Sequence, residues 1–298
     1  MTTLSLGAPE TCEQLVLAFL AHLERERGLA RNTLEAYRGD LLQFGAFLAH
    51  RERDALAAEH DDLAAFVDEL ASSRAGKAPL AAATLQRKVA CLRSFYGHLH
   101  RIGMIESNPA RELRGPRLVQ RRPRSLSREE IQQLLAQPRG TSPAALRDRA
   151  LLELLCACGV RASEVIALEQ CDLDLPTAVL RADANGPKDR LVPIPSSALA
   201  AIRDYVQGGR PLLVGPGERQ RVFVNQRGTG LTRQGLYKII QRHARTAGLT
   251  EQINPRTLRR ACATHLLDDG REIRSLQALL GHTDIATTRL YTQLAAAA

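Results

Sequence analysis

The sequence predicts a mainly α-helical protein with a small antiparallel β-sheet, an α+β arrangement in its second half. Through the first hundred residues, apolar side chains recur at the three- and four-residue spacing of helices that pack one face on a core. Further along, Asn185-Gly186 lies between two short β-prone segments, which is a strong hairpin signal. At 298 residues, the chain is long enough for two domains.

Four helices are predicted in the first part of the chain. Leu15 and Phe19 repeat at helical spacing in the first helix, and Asn32, three residues before Glu35, has the features of the N-cap of the second. Asn108-Pro109 is a stop signal after the fourth helix. The helices are expected near residues 11–28, 32–51, 60–73 and 81–103, so a helical domain is expected over residues 1–108.

A basic linker is predicted over residues 109–126. It carries six arginines and one acidic residue, Glu112, and three prolines interrupt it. Such a segment is usually only a solvated connection, but a proline-stiffened one between two basic domains could also lie along a phosphate backbone. We favour the second interpretation.

The second domain is expected over residues 127–298. It begins with a capping box, in which Ser127 and Glu130 satisfy each other's backbone donors at a helix start. Helices are expected near residues 127–136 and 145–158 and from Arg161, strands at 178–181, 190–194 and 222–224, and further helices at 196–207, 231–247, 255–269 and 271–280.

The charge balance points to a polyanionic partner. The chain has 41 lysines and arginines against 32 aspartates and glutamates, which gives a formal net charge of +9. Such an excess is typical of proteins that bind nucleic acid, although charge alone is equally compatible with a solvated basic surface. Nucleic acid is therefore the first partner to consider, and motifs have to decide.

The cysteines and the start of the chain indicate a cytoplasmic protein. The six cysteines, at positions 12, 91, 156, 158, 171 and 262, lie mostly in apolar helical patterns and form no C-x-x-C pair, which suits buried side chains better than metal ligands. No secretory leader pattern begins the chain, and no apolar run approaches the roughly 18 residues of a membrane span. A reducing cytoplasm, without a membrane, is expected.

Arginine, histidine and tyrosine residues point to phosphate chemistry. Arg161 follows a glycine turn, Arg256 and Arg259 share one face of a predicted helix, and Tyr291 lies nine residues after His282. The guanidinium fork fits phosphate oxygens, and a tyrosine hydroxyl is a plausible nucleophile toward a phosphodiester. Taken singly, each residue is better explained as a surface arginine or a core aromatic. Their order and spacing favour a shared site.

That order and spacing resemble the tyrosine recombinases. The resemblance spans nearly the whole chain, is closest to the bacterial Xer recombinases, and is slightly greater to XerC than to XerD. It implies an N-terminal helical core-binding, SAM-like domain and a C-terminal catalytic domain that clamp a DNA duplex between them. The motifs that carry it are Gly159–Glu164, Leu258–His265, Leu279–His282 and Thr287–Thr292.

The resemblance also implies a reaction. Tyr291 would attack the scissile phosphate and form a 3′-phosphotyrosyl bond, while Arg161 and Arg259 hold the non-bridging oxygens and His282 donates a further hydrogen bond. The free 5′-hydroxyl would later attack a partner strand, so no ATP or metal is implied. The family works as a tetramer on two DNA duplexes, here with a related recombinase, and its Xer members resolve chromosome dimers.

Two positions depart from the family pattern. Asn185 stands where a lysine usually protonates the leaving oxygen, and Arg256 stands where a histidine is usual. Lys188, three residues after Asn185, could compensate on a flexible hairpin, and Arg256 can still stabilise charge. Loss of a general acid or base costs roughly 10²- to 10⁴-fold in rate.

Two functions are therefore weighed, and a generic basic transcription factor is a poorer third. The first is an active site-specific recombinase, which the retained tyrosine, histidine and two arginines favour. The second is a cleavage-impaired DNA-binding subunit that positions or activates a competent partner, which Asn185 and Arg256 favour. In either case, phosphate contacts are predicted at Arg31, Arg87, Lys88, Arg121, Arg122 and Arg124.

Overall fold

The computed structural model describes residues 11–29, 31–72, 78–117, 125–184, 186, 188–218, 220–249 and 253–295. Within these ranges the protein is mostly helical, with one small antiparallel sheet, as the sequence predicts. The chain divides into two compact units, Met1–Arg121 and Arg122–Ala298. The division falls within the predicted basic linker, whose bounds at residues 109 and 126 stay a prediction.

The first unit is a bundle of four helices. Its core contains Phe19, Phe44, Phe95 and Tyr96, each at most 1 % exposed. Phe19 meets Phe95 edge to face, with ring centroids 5.4 Å apart, a geometry that aromatic pairs prefer. The helices are α1 (Cys12–Arg27), α2 (Arg31–Ala49), α3 (His60–Ala71) and α4 (Ala82–Arg101), which confirms the four predicted helices.

The predicted N-cap at Asn32 is wrong. Helix α2 already includes Arg31, so Asn32 lies inside the first turn. Glu35 does not return to the backbone of Asn32, because its carboxylate pairs with Arg31 one turn earlier, at 3.0 Å. This i,i+4 ion pair supports the additional helical residue.

The second unit consists of short helices around a three-stranded sheet. Ser127 and Glu130 form the predicted capping box at its first helix, and Ser142 caps the second. The helices are α5 (Arg128–Leu135), α6 (Pro143–Cys158), α7 (Ala162–Ala167), α8 (Ser196–Asp204), α9 (Arg210–Leu213), α10 (Arg233–Thr246), α11 (Pro255–Asp268), α12 (Ile273–Leu280) and α13 (Ile285–Ala295), with a π-helical turn, Tyr205–Gly209, between α8 and α9.

The sheet contains the predicted hairpin. Strands β1 (Leu173–Asp174), β2 (Val179–Ala182) and β3 (Arg190–Pro193) pair antiparallel in that order. Leu180 opposes Val192, and both are buried against the core, while Ala182 opposes Arg190 at the open end. Ala182 and Arg190, which flank the hairpin loop, therefore lie at the same end of the sheet.

The strand predicted at residues 222–224 is wrong. Only isolated bridges, Glu169 to Arg221 and Val224 to Gly230, occur there. The backbone there bonds to scattered partners. The N–H of Val222 donates to the carbonyl of Leu168 at 2.9 Å, and the hydroxyl of Tyr205 donates to the carbonyl of Val222 at 3.0 Å and accepts from the N–H of Val224 at 3.3 Å. Because these partners belong to different segments and one of them is a side chain, the β-prone composition produces isolated bridges and not a strand.

Helix α6 lies at the centre of the second core. Leu151, Leu152, Leu154 and Leu155 have no exposed surface, and α11 packs along the helix. An apolar pattern on every side is typical of a helix buried all round. The ends of α6 and α11 are consequently fixed in place.

In the part of the chain that the structure describes, no helix combines the length and apolarity that a membrane span requires.

Candidate functional site

The predicted arginines, histidine and tyrosine come from four segments of the second unit. Arg161 is the N-cap of α7, and Arg259 lies in the first half of α11. His282 follows α12 directly, and Tyr291 lies in α13. Contacts between these segments bring the side chains together.

Two glycines make the close approach of these segments possible. Gly159 ends α6 with φ +59°, and Gly281 ends α12 with φ +63°, a left-handed conformation that glycine adopts without strain. A Cβ atom on Gly159 would lie 3.0 Å from Leu280, and one on Gly281 would lie 3.1 Å from the guanidinium of Arg190. A side chain at either turn would therefore adopt a strained backbone conformation and would displace its neighbour.

Arg259 is the buried centre of the site. Only 7 % of the residue is exposed, and its guanidinium donates to the carbonyls of Gly159 at 2.6 Å and Leu280 at 2.5 Å. Burial, followed by the charge of Arg161, lowers the pKa of Arg259 to about 10. It stays charged at neutral pH, so this site holds a buried cation that favours an anion nearby.

Glu164 holds two arginines at the edge of the site. It accepts the backbone N–H and a guanidinium N–H of Arg161, at 2.6 and 2.5 Å, and two N–H groups of Arg190, at 2.8 and 3.1 Å. Burial alone would raise the pKa of Glu164, but the bonds from Arg190 and Arg161 outweigh it and lower the pKa to about 2. The two arginines also donate to the carbonyls of Gly281 and Leu279.

His282 lies against Arg259. Its Nε2 atom is 3.1 Å from Nη2 of Arg259, and its Nδ1 atom is 2.9 Å from the hydroxyl oxygen of Thr288. Partial burial, followed by the charges of Arg259, Arg161 and Lys188, lowers the pKa of His282 to about 4. The imidazole is therefore neutral at pH 7.

Tyr291 lies beside the histidine. The two ring centroids are 6.0 Å apart, with 28° between the ring planes. The tyrosine is half-buried and packs on the small cluster that contains Leu276 and Leu280, so its ring is held at the rim of the site. Partial burial lowers the pKa of Arg260, whereas its electrostatic interaction with Tyr291 raises it. Arg260 is therefore, like Arg259, a cation that interacts electrostatically with the phenol.

The residues predicted to compensate for the two departures, Lys188 and Arg256, are both exposed. Lys188 is exposed, its backbone N–H donates to Asp183 at 3.0 Å, and its charge is among those that lower the pKa of the site histidine. Arg256 is exposed in the first turn of α11, where its backbone N–H is capped by Asn254. Asn185 lies outside the described residues.

Arg31 and the linker arginines belong to the predicted DNA contacts. Arg31 has a side chain that is 91 % exposed, and its ion pair with Glu35 lies on the surface. Such a pair is weak and exchanges readily for a phosphate. The linker residues Arg121, Arg122 and Arg124 lie outside the described residues.

Arg87 and Lys88 share one buried carboxylate. The side chain of Arg87 is 41 % exposed and hydrogen-bonds to Asp40. The ammonium of Lys88 is buried, 2.7 Å from Asp40 and 2.6 Å from the amide oxygen of Gln43. This placement favours Arg87 as a phosphate contact, and it favours Lys88 as a residue that holds Asp40 in place.

Several residues near or around the site were missed by the sequence reasoning. Arg190 has no local signal, because it acts through contacts with distant segments, whereas Thr288 lies in the motif around Tyr291, six residues after the histidine that it contacts. Helix α10 also presents an exposed polar face, which its basic residues within a helical pattern could have revealed. Its exposed side chains are Arg233, Gln234, Tyr237, Lys238, Arg242, Arg245 and Thr246. Among the described residues, no cluster of three or more histidine, cysteine or acidic side chains has the arrangement of a metal site.

Comparison with known proteins gives matches over both units. Residues 124–298 match the phage integrase family, and residues 16–103 match the phage integrase N-terminal SAM-like domain. The chain is 39% identical over 280 residues to tyrosine recombinase XerD of Lacticaseibacillus casei, with 94% of both chains covered. It is 38% identical over 283 residues to tyrosine recombinase XerC of Roseiflexus sp. (strain RS-1), covering 94% of this chain and 88% of the relative.

Solved structures show the same fold. The XerH site-specific recombinase bound to its difH substrate in a pre-cleavage complex gives a TM-score of 0.70 at 19% identity, with 96% of this chain and 94% of that chain covered. Since relatives named XerC and XerD match equally well, the closer likeness to XerC stays a prediction. The sequence matches over both units place this chain in the phage integrase family, as a tyrosine recombinase.

Proposed function

We propose that this protein is an Xer-type site-specific recombinase that cleaves DNA with Tyr291. The observation that carries the proposal is the cluster of Arg161, Arg259 and His282 beside the tyrosine ring. The site contains three cations, these two arginines and Arg190, and one carboxylate, Glu164, which bonds Arg161 and Arg190, so it has an excess of positive charge for a phosphate. Such preorganised donors stabilise charge that develops in a transition state.

The proposed reaction exchanges one phosphoester for another. The phenol oxygen of Tyr291 attacks the phosphorus and loses its proton, the bond to the 5′-oxygen breaks, and that oxygen gains a proton. Arg161 and Arg259 each carry five N–H donors, and their carbonyl contacts leave others for the non-bridging oxygens. Attack by a 5′-hydroxyl on the phosphotyrosine reverses these steps, so strand joining needs no energy source.

The DNA is proposed to be held by both units. The net charge of +9, the exposed Arg31 and Arg87, and the basic face of α10 support this proposal. We propose a core-binding domain over residues 1–108, a DNA-lining linker over 109–126 and a catalytic domain over 127–298. The biological role proposed is resolution of chromosome dimers in the cytoplasm, by a tetramer formed with a related recombinase on two duplexes.

The first experiment asks whether Tyr291 forms a covalent bond to DNA. The protein is mixed with a nicked half-site duplex, in which the short cleaved strand diffuses away and traps the adduct. We expect a denaturation-resistant protein–DNA adduct, and none with Tyr291→Phe. DNA that is shifted in a native gel but never covalently bound, on a site that a competent relative cleaves, would instead establish the second function, a cleavage-impaired binding subunit.

A second experiment identifies the acid that protonates the leaving oxygen. The charge of Lys188 is among those that lower the pKa of His282. This interaction supports Lys188 as the acid, and so an active recombinase. We expect Lys188→Ala to slow single-turnover cleavage by roughly 10²- to 10⁴-fold. A substrate with sulfur at the 5′-bridging position should restore the rate, because a thiolate leaves without a proton.

Asn185→Lys is the matched gain-of-function test. Introduced into the Lys188→Ala variant, Asn185→Lys should recover cleavage if a lysine at either position of the hairpin can reach the leaving oxygen. A large gain from Asn185→Lys in the otherwise unchanged protein would show that Lys188 does not serve, and that the natural site is impaired.

A further inference from the structure

Thr288 touches the site histidine from the side away from the arginines. The residue has no exposed surface and lies on α13, three residues before Tyr291. Its hydroxyl oxygen is 2.9 Å from Nδ1 of His282, whereas Nε2 of the same ring is 3.1 Å from Nη2 of Arg259. The imidazole is therefore held at both nitrogens.

These two contacts define the tautomer in the DNA-free protein. A guanidinium only donates hydrogen bonds, so Nε2 of His282 has to be the acceptor toward Arg259. A neutral ring then carries its single proton on Nδ1 and donates it to the oxygen of Thr288. The lowered pKa of His282, about 4, agrees with a neutral ring at pH 7.

This tautomer is the wrong one for donating to a phosphate. In the proposed reaction Nε2 faces the phosphate oxygens, which accept hydrogen bonds only, so Nε2 needs a proton. Arg259 can turn its donor to the same oxygens and release Nε2. The ring then loses the proton at Nδ1 and gains one at Nε2, with water carrying the proton and the total charge unchanged.

We propose that Thr288 is a positioning residue that stabilises both tautomers of His282 and so allows the ring to change from acceptor to donor when the phosphate arrives. A hydroxyl both donates and accepts, and it can rotate to point its hydrogen at a bare Nδ1. A carboxylate or a carbonyl at this place would hold only the Nδ1–H form. The inference rests on the proposed function, because that function supplies the phosphate.

The kinetic test uses Thr288→Val, which keeps the shape of the side chain and removes the hydroxyl. We expect single-turnover formation of the Tyr291 adduct to slow by about 10- to 100-fold, the cost of one lost hydrogen bond to a buried group. Binding of the same DNA should change less than about twofold. Thr288→Ser should cleave nearly as fast as the natural protein, and Thr287→Val, on the exposed neighbouring threonine, serves as the matched control.

The spectroscopic test reads the tautomer directly and needs no cleavage. In protein labelled with ¹⁵N-histidine, the His282 nitrogens should show the Nδ1–H form without DNA and the Nε2–H form when Tyr291→Phe protein binds the site. In Thr288→Val protein, the change on DNA binding should be reduced. An Nε2–H ring in the free protein, or full cleavage by Thr288→Val, would overturn the inference. A chain that forms no adduct at all, yet shows the Nδ1–H ring, would contradict only the proposed function.

Discussion

Glu164 is the residue on which the geometry of the cationic site depends. Its carboxylate is the acceptor for Arg161 and for Arg190, and only 5 % of its side chain is exposed. A buried carboxylate costs free energy unless it is fully hydrogen-bonded, and here four N–H groups point to it. Glu164 thus fixes the two arginines before any phosphate is present.

We expect Glu164→Gln to lower the free energy of unfolding by about 3 kcal/mol, because it removes one partner of a buried ion pair and leaves the arginine charges uncompensated. Urea unfolding at pH 7 measures this change. Glu169→Gln is the matched control, since its pair with Arg221 is about one-third exposed on both sides and should cost less than about 1 kcal/mol. Equal effects of the two substitutions would contradict a structural role for Glu164.

The site residues divide by whether a local sequence motif marks them. Arg161, Arg259, His282 and Tyr291 were predictable, because glycine turns and fixed spacing along the chain mark them. Arg190 was not predictable as a site residue, since its guanidinium meets Leu279 across 89 positions of sequence. A pattern in one segment of sequence does not report which distant segment packs against it.

At the scale of elements, α2 and α4 are joined by a polar network in an otherwise apolar interface. Asp40 on α2 is 5 % exposed and accepts from Lys88 and Arg87 on α4. Lys88 neutralises the carboxylate inside, and Arg87 covers it from the surface. The arrangement holds an arginine head at a fixed place on the outer face of the bundle.

The salt dependence of DNA binding distinguishes Arg87, which is expected to contact a phosphate, from Lys88, which is expected to hold Asp40 in place. Each phosphate contact contributes about 0.9 to the slope of log K against log salt concentration. We expect Arg87→Ala to reduce that slope by about one contact. Lys88→Met should leave the slope unchanged while it lowers the unfolding midpoint of the protein, because it strands the buried carboxylate. A reduced slope for Lys88→Met would identify Lys88 as a direct phosphate contact.

Element prediction succeeded where periodicity alone determines the structure. The four helices of the first unit carry long apolar repeats, and the observed bounds differ by no more than two residues from the predicted ones. It failed where tertiary contacts replace local ones. At residues 222–224 the backbone bonds to partners in several segments, among them the hydroxyl of Tyr205, and β1 is only two residues long, too short to show alternation.

At the scale of the whole molecule, each unit has a hydrophobic core of its own. The core of the first unit is built from α1 to α4 and continues into Ala110 and Leu113, just beyond the last helix. The core of the second unit surrounds α6 and begins with Leu126. Buried apolar residues therefore occur at both ends of the predicted basic linker, and among the described residues each cluster consists of side chains of its own unit.

We expect the two units to fold as separate proteins, because the buried residues described for each unit form a cluster of their own. Fragments 1–121 and 122–298 should each unfold cooperatively in urea and retain helical circular dichroism. Each should bind DNA more weakly than the intact chain, since tethering two sites on one duplex raises the effective concentration of the second and strengthens binding by roughly 10²- to 10⁴-fold. An unfolded fragment would show that the division into domains is wrong, and full affinity in either fragment alone would refute DNA binding by both units.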